Sequence, residues 1–445
     1  MAEKNPLSDL TFLGSSSKLA QFVGRPIHHF AAIEASAGVL MLVAAVVALV
    51  WVNSPWQESY ADFWHTPISF SVGDYKFDHD LEFIVHDGLM AVFFFVVGLE
   101  IKRELVSGDL KDPRFAALPA VAALGGMVVP AAIYLALNVG GDGAEGWGIP
   151  MATDIAFAVG LLSLLGDRIP REMKIFLLTL AIVDDIGAIL VIAIFYTSDL
   201  SGAWLLEAGI LWGAIYLLRC LRVWYLPVYL VLGVAFWLAV LESGVHATIA
   251  GVILGFTTPA KPLQSEDEAR GWAEWLQGKD QIRLTDIRRV GFHIRESQPV
   301  SLRIEEMLHP FASYIIIPIF ALSAAGVELG SNVISDSVSS PVTLGVVLGL
   351  VVGKTVGISC FSWIAARLGL VTIPTSMTGR HMVGLAMVAG IGFTVSLFIS
   401  GLAFDDTQIA DEAKIGILAG SLFAAVVGMG ILWRTESSNR AAKKA

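Results

Sequence analysis

Four ionisable side chains lie in the middle of long apolar runs of the sequence, where charge is costly. Asp154 follows Thr153 in one run, Asp184 and Asp185 are adjacent in the next, and Lys354 lies in a later one. Each charge at the centre of a membrane-spanning helix costs roughly 3 kcal/mol, so the four together cost on the order of 12 kcal/mol before any pairing. We interpret them as a functional site. The alternative is a buried structural ion pair, and this alternative is strongest for Lys354.

The adjacent aspartates predict a division of roles. Consecutive residues of a helix point about 100° apart, so Asp184 and Asp185 cannot both face one small ion equally. We expect Asp185 to be the main ligand, and Asp184 to bind a proton, form an ion pair, or do both in turn. Two close carboxylates in a low dielectric resist joint ionisation and titrate as a coupled pair. Protons and a hard cation such as sodium then compete for one site of oxygen ligands, which is the simplest mechanism of exchange.

Composition and the length of the apolar runs predict an all-α, polytopic membrane protein. The 445 residues are 55% hydrophobic and 16% charged, against roughly 25% charged residues in soluble domains. Many apolar runs approach the ~20 residues that a helix needs to cross about 30 Å of hydrocarbon. We place twelve spans, at 31–52, 81–101, 115–138, 147–165, 174–196, 202–218, 223–241, 245–258, 307–328, 341–366, 378–401 and 413–433.

Basic residues predict the orientation of these spans. If both termini are cytoplasmic, all but three of the 29 Lys and Arg residues fall in cytoplasmic segments or at the cytoplasmic ends of spans. Lys76 and Lys414 lie on the external side, and Lys354 lies within a span. This distribution follows the positive-inside rule and indicates an inner-membrane location. No removable signal peptide is evident before the first span. The predicted parts are a cytoplasmic segment 1–30, a twelve-helix domain 31–433 and a cytoplasmic tail 434–445.

Backbone breakers interrupt two of the spans. Gly148 and Pro150 open the fourth span. The eleventh contains four glycines, Gly379, Gly384, Gly390 and Gly392. Interrupted helices indicate a binding site at the membrane midplane, where Thr153, Asp154 and freed carbonyls supply oxygen ligands. We expect Asp154 to neutralise the N-terminal ends of the half-helices and Lys354 the C-terminal ends.

Two segments outside the spans have patterns of their own. Residues 68–77 flank a Gly73-Asp74 turn and predict an external β-hairpin. This hairpin either caps a loop or pairs its strand edge with a second copy of the chain. Residues 258–306 mix charges of both signs and predict a cytoplasmic loop that is partly helical or disordered.

Several other motifs are rejected as functional signals. Residues 141–146 match a dinucleotide fingerprint, but no strand precedes them, so we interpret them as a turn. Residues 349–355 resemble a phosphate-binding loop with one residue too few between the glycines, inside an apolar helix. Cys220 and Cys360 lie in apolar runs and are predicted to be packing residues. We therefore expect no nucleotide, nucleic acid or cofactor as a partner.

Seven motifs in order resemble the NhaA-type sodium/proton antiporter family. They are GLEIKREL at 98–105, IPMATDIAFAVG at 149–160, LAIVDDIG at 180–187, SGVHATIAG at 243–251, LHP at 308–310, GK at 353–354 and GIGFT at 390–394. The resemblance implies inverted repeats with crossed, discontinuous fourth and eleventh helices, and a homodimer joined partly through the external hairpin. It also implies electrogenic exchange of more protons than sodium or lithium ions.

The resemblance further assigns roles to single residues. It implies that Asp184 and Asp185 carry the ion and the proton, that Thr153 and Asp154 lie at the helix crossing, and that Lys354 pairs with Asp184 or carries a proton itself.

A second group of residues is assigned only by the resemblance. Glu100 and Arg103 match a cytoplasmic cluster linked to pH activation, and His246 matches a position that shifts the pH response. The alternatives are that the first two anchor a helix end and that the histidine is structural. Thr355 stands where the family often has proline, and Phe311 replaces a common tryptophan. A shifted pH profile is expected.

Two rival functions use the same residue types. An intramembrane aspartyl protease needs two aspartates that flank one peptide bond, which neighbours on one helix cannot do. A sodium channel needs a water-filled pore, whereas this lysine-containing, glycine-punctuated centre indicates an occluded site. We therefore predict a secondary active transporter and not an enzyme.

Overall fold

The computed structural model describes residues 36–72, 75–197, 200–221, 223, 225–330, 337–374 and 376–444, and these are mostly helical. The predicted segment 1–30 and the hairpin turn at 73–74 lie outside the described residues, as does the start of the first predicted span. The helices are α1 (Ser36–Val52), α2 (Gln57–Trp64), α3 (Leu81–Val106), α4 (Pro113–Asn138), α5 (Ile155–Leu164), α6 (Arg171–Phe195), α7 (Gly202–Cys220), α8 (Leu226–Glu242), α9 (Thr248–Thr257), α10 (Glu266–Gln277), α11 (Leu284–Glu296), α12 (Val300–Ala324), α13 (Pro341–Arg367), α14 (Gly379–Val388), α15 (Phe393–Ala403) and α16 (Thr407–Lys444).

Seven of these helices are long and apolar enough to cross a membrane, and three bent pairs bring the number to as many as ten within the described ranges. The bent pairs are α1 with α2 (119°), a 3-10 segment (Asp142–Met151) with α5 (43°), and α14 with α15 (49°). The helices α8 and α9 are apolar but shorter. Each of the twelve predicted spans coincides with one of these elements, while the number that crosses a membrane stays a prediction.

Small residues bring several helices into backbone contact. A Cβ atom on Gly251 of α9 would lie 2.0 Å from the carbonyl oxygen of Ala91 in α3. Likewise, a Cβ atom on Gly357 of α13 would lie 2.1 Å from the carbonyl oxygen of Gly125 in α4. No side chain fits at either crossing. Close packing of this kind is the main source of helix association where lipid removes the hydrophobic driving force.

Two antiparallel strands, β1 (Pro67–Val72) and β2 (Tyr75–Asp80), form the predicted hairpin and extend it at both ends. At its base, Asp80 Oδ1 accepts a hydrogen bond from the Phe83 amide at 2.9 Å and so caps the start of α3. The other carboxylate oxygen lies 3.0 Å from His65 Nδ1. This hydrogen bond raises the pKa of His65 above its usual value. The hairpin is therefore fastened to the end of α2.

Two segments outside the predicted spans are helical. Residues 258–306, predicted to be partly helical or disordered, contain the amphipathic helices α10 and α11. The helix α16 continues through the predicted tail to Lys444. Cys220 and Cys360 are exposed on the surface. The prediction that these cysteines are packing residues is wrong, because an apolar run in a membrane helix places half of its residues toward lipid and only the rest toward the protein.

Candidate ion-binding site

Two of the bent helix pairs meet at their breaks. The backbone N–H of Asp154, just before α5, donates to the carbonyl of Ile391 at 2.7 Å. Thr153 Oγ1 lies 2.8 Å from the carbonyl oxygen of Ala389, the residue after α14. Both breaks therefore contact each other through backbone groups that no helix satisfies, which explains how polar main chain is tolerated in an apolar interior.

Glycine allows the second break to approach its neighbour. A Cβ atom on Gly390 would lie 2.3 Å from the carbonyl oxygen of Leu350 in α13. Leu350 belongs to a π-helical turn (Gly349–Gly353) that ends immediately before Lys354. Such turns are frequent at functional sites, because the extra residue re-aims the side chains that follow.

Asp154 caps two helices at once. Its Oδ1 accepts the backbone N–H of Phe157 in the first turn of α5 at 2.9 Å. Its Oδ2 accepts the backbone N–H of Thr394 at 3.1 Å and the hydroxyl of the same residue at 2.7 Å, in the first turn of α15. A buried carboxylate thus faces the positive ends of both helices. This is the arrangement that the sequence predicts for Asp154, and it uses both carboxylate oxygens.

The helix α6 carries Asp184 and Asp185 near its middle, where both side chains are buried. Lys354 Nζ lies 2.5 Å from Asp184 Oδ2 and 2.8 Å from Thr153 Oγ1, and Thr153 Oγ1 lies 2.7 Å from the same carboxylate oxygen. The three groups form a closed, fully buried triad. The Lys354 ammonium donates to Asp184 and Thr153, and its contact with Asp184 is the pairing that the resemblance implies. Its neutralisation of helix C-terminal ends stays a prediction.

Two carboxylate oxygens at this point have no hydrogen-bond partner among the described residues, Asp184 Oδ1 and Asp185 Oδ1. A buried acceptor left without a partner costs about 1–3 kcal/mol, and buried carboxylates are normally satisfied. Carboxylate and hydroxyl oxygens are the ligands that hard cations prefer. The two open oxygens, with Thr153 beside them, therefore fit an alkali cation or protons.

The three residues assigned to pH response lie in two other places. The guanidinium group of Arg103 in α3 donates a hydrogen bond to the carboxylate of Glu305 in α12. Its Nη2 atom also lies 3.2 Å from a carboxylate oxygen of Glu104 and 4.0 Å from one of Glu100. His246 contacts the carbonyl oxygen of Tyr196, the residue after α6. Tyr196 is eleven residues beyond Asp185, or about 16 Å along a helix axis. His246 is thus placed away from the buried carboxylates. The cluster around Arg103 includes Glu100, which is close enough to Asp185 for their negative charges to repel each other.

Sequence reasoning missed the partners of these groups. Thr394 was part of a recognised motif, yet its bond to Asp154 was not foreseen; the signal was a hydroxyl residue two positions after Gly392 in an apolar run. Ser421 was also missed, and its hydroxyl accepts the amides of Gly392 and Phe393 at 3.3 Å. Glu305, the partner of Arg103, lay in a charged segment that gave no reason to single it out.

Buried carboxylates and a buried lysine at the meeting point of two bent helix pairs define a polytopic membrane carrier of small cations. The family model described as Na+/H+ antiporter 1 matches residues 28–432, so the chain belongs to the Na+/H+ antiporter 1 family.

Curated relatives are similar over nearly their whole length. The chain is 47% identical to the Na(+)/H(+) antiporter NhaA of Rhodopirellula baltica, over 94% of this chain and 96% of that protein. It is 45% identical to Na(+)/H(+) antiporter NhaA 2 of Myxococcus xanthus, over 95% of this chain and 92% of that protein. It is 46% identical to Na(+)/H(+) antiporter NhaA 3 of Frankia alni, over 92% of this chain and 89% of that protein. The resemblance derived from the motifs is confirmed.

Proposed function

We propose that this protein is a secondary active antiporter that exchanges cytoplasmic sodium or lithium ions for external protons, and that Asp184 and Asp185 are the groups for which the ions compete. The observation that carries the proposal is the pair of buried, unpartnered oxygens, Asp184 Oδ1 and Asp185 Oδ1. Family membership supports sodium/proton exchange as the activity.

The contacts of the triad support an order of events. Lys354 already holds Asp184 Oδ2, so Asp185 is the carboxylate with more freedom to bind an ion. With both carboxylates deprotonated, a dehydrated cation gains Asp185, the open oxygen of Asp184 and the Thr153 hydroxyl as ligands. Protonation removes the negative charge that holds the cation, and the ion leaves. Protons and metal ions therefore exclude each other without direct contact between them.

The charges of the site support an electrogenic cycle. Three carboxylates and one ammonium are buried together, and a single alkali ion neutralises only one charge. Binding sodium between Asp184 and Asp185 weakens the hold of Asp184 on Lys354, so a second proton is released either from the lysine or from the second aspartate. More protons than sodium ions then move per cycle, and the membrane potential drives the exchange.

Further parts of the proposal concern regulation and assembly. We assign pH response to the cluster of Glu100 and Arg103 with Glu305, because a charge change there alters the contact between α3 and α12, and to His246 at the end of α6. The β1–β2 hairpin presents a strand edge that suits pairing with a second chain to form a homodimer. The distribution of basic residues supports a cytoplasmic location for both termini and a bacterial inner-membrane location for the protein.

The helix breaks belong to the same proposal. Twelve spans, with the fourth and eleventh interrupted and related by inverted repeats, account for the two bent pairs that meet at Thr153 and Ala389. In such carriers the midplane site is reached alternately from each side.

Ion fluxes in reconstituted vesicles test the proposal. An imposed sodium gradient should drive proton movement, read by an internal pH dye; a channel would only dissipate the sodium gradient, and a protease would ignore it. Asp185→Asn removes the most available ligand and should lower the exchange rate to the background of vesicles without protein, because intramembrane charges of this kind mark the ion pathway. The matched control is Asp62→Asn, at an exposed position on α2, which should leave the rate unchanged. Exchange by Asp185→Asn at the control rate would disprove the assignment.

A further inference from the structure

The helices α10 and α11 form a helical hairpin, residues 265–296, that the transport site does not use. Its base is closed by main-chain bonds, since the amides of Leu263 and Gln264 donate to the carbonyl of Glu296 at 3.1 and 3.2 Å. Next to it, the amide of Ser301 donates to the carbonyl of Pro259 at 3.0 Å. The segments that enter and leave the hairpin are thus tied together where they join α9 and α12, at the end of two apolar helices.

A buried ion pair orients the hairpin on α12. Arg303 Nη1 and Nη2 lie 2.9 and 3.3 Å from the two carboxylate oxygens of Glu296, the last residue of α11. The side chain of Glu296 is only 5% exposed. A two-point contact of this kind fixes direction as well as distance. The end of α11 is therefore held beside the first turn of α12.

One face of α11 is occupied by α10. Asp286 and Val290 are buried, and the ring of His293 stacks on Trp272 of α10 with 4.1 Å between ring centroids. These three residues of α11 are spaced by four and three positions, so they share one side of the helix. The opposite side must face either water or another surface.

That opposite side carries an apolar stripe. Leu284, Ile287 and Ile294 are 63%, 52% and 43% exposed, and with Gly291 they follow the spacing of a single helix face. An exposed stripe of large aliphatic side chains is not explained by the fold of the hairpin itself.

Arginines border the stripe. Arg288 and Arg295 are exposed and lie seven residues apart, one position after Ile287 and Ile294. Neither takes part in an ion pair within the described part of the chain, whereas Lys279 pairs with Asp286 at 2.7 Å. Of the seven acidic residues in the hairpin, four lie in α10 and three of these in its first turn. The two on α11, Asp286 and Glu296, are buried in ion pairs. The exposed face of α11 is thus apolar and basic at the same time.

We propose that α11 lies on the bilayer surface, with Leu284, Ile287 and Ile294 in the boundary between headgroups and acyl chains and with Arg288 and Arg295 on anionic phospholipid headgroups. A helix with one apolar face and bordering arginines is typical of an interfacial membrane contact. The closed base keeps the helix within reach of the membrane. The lipid contact follows from the membrane location alone and does not require that the site exchanges sodium.

Spin labels on the full-length protein in vesicles test this contact. A single label is attached at Ile287→Cys in a chain that carries Cys220→Ser and Cys360→Ser, and its collisions with oxygen and with a water-soluble nickel chelate are compared. In vesicles of phosphatidylglycerol with phosphatidylcholine, the ratio of oxygen to nickel collisions should rise several-fold over vesicles of phosphatidylcholine alone. The control label at Gly271→Cys on α10, where nothing lies within 4 Å of an added side chain, should show no change.

Two further variants separate the possible outcomes. Arg288→Gln with Arg295→Gln should abolish the dependence on phosphatidylglycerol, and the matched variant Arg270→Gln on α10 should keep it. A label at Val356→Cys, 44% exposed on a spanning helix, must report oxygen contact in both lipids and so verifies insertion. If the Ile287→Cys label stays as accessible to nickel as the Gly271→Cys label, the proposal is overturned. Label-to-label broadening that disappears on dilution would also overturn it, because a second copy would then cover the stripe.

Discussion

Breaking the ion pair between Lys354 and Asp184 should lower the stability of the protein more than any other single substitution at the site. Both side chains are fully buried, and the ammonium also donates to Thr153. Removing one partner of a buried pair leaves the other charge without compensation and costs about 3–5 kcal/mol. We therefore expect Lys354→Ala to lower the free energy of unfolding by about that amount in alkaline buffer, and by less in acidic buffer, where a proton neutralises Asp184.

Thermal unfolding in detergent measures this effect, because 12 tryptophans report the loss of structure by fluorescence. The double variant Lys354→Ala with Asp184→Asn removes both charges and should recover most of the loss. The control is Lys414→Ala, which breaks a pair with Asp411 at 3.3 Å whose side chains are 24% and 28% exposed. Partly solvated pairs of that kind contribute at most about 1 kcal/mol.

Two results would refute the reasoning. In the first, Lys354→Ala unfolds at the same temperature as the Lys414→Ala control in alkaline buffer. In the second, the double variant is no more stable than Lys354→Ala alone. Either result would mean that the lysine does not compensate the Asp184 carboxylate.

Three other predictions concern packing, capping and pH. Gly357→Ala should prevent normal folding, because its Cβ atom would lie 2.1 Å from a carbonyl oxygen of α4. Size-exclusion chromatography should show the loss of monodisperse protein. The control Gly213→Ala, with open space around the added Cβ atom, should behave as wild type. Thr394→Val removes a 2.7 Å hydroxyl bond to the carboxylate that caps α5 and α15, and should lower the free energy of unfolding by about 1–3 kcal/mol. Asp80 raises the pKa of His65 through their hydrogen bond. Protonated His65 therefore contributes its full stabilisation when the pH is below the ordinary histidine pKa of about 6.5, and this stabilisation is lost as the pH rises through the raised pKa. The difference in unfolding midpoint between wild type and His65→Gln should therefore be present in mildly acidic buffer and absent in alkaline buffer.

The location of the site was predictable because its residues violate the composition of their surroundings. An aspartate in a run of leucine, isoleucine and alanine is costly, so Asp154, Asp184, Asp185 and Lys354 stand out without any structure. The same principle predicts helix positions, since long apolar stretches leave few alternatives in lipid. The β1–β2 hairpin followed from local turn chemistry alone.

The connections within the site were not predictable, because they join residues far apart in the chain. Lys354 is 170 residues from Asp184, and Thr394 is 240 residues from Asp154. No periodicity encodes which helix neighbours which. The short helix α2 was missed for a different reason, because its eight residues are amphipathic and not long enough to give an apolar run. The surface position of Cys220 and Cys360 was missed because lipid-facing and buried residues are equally apolar.

The three buried carboxylates are chemically alike but differ in what already holds them. Both carboxylate oxygens of Asp154 accept hydrogen bonds from groups at the two helix ends. One carboxylate oxygen of Asp184 accepts hydrogen bonds from Lys354 and Thr153. Asp185 shares a helix with Asp184 yet has a buried oxygen with no partner. A cation that must exchange readily cannot take the oxygens of Asp154, because the two helix ends would then lose their caps at every cycle. This difference supports the proposal that Asp185, the least engaged carboxylate, passes between a proton and a metal ion while the rest of the site keeps its shape.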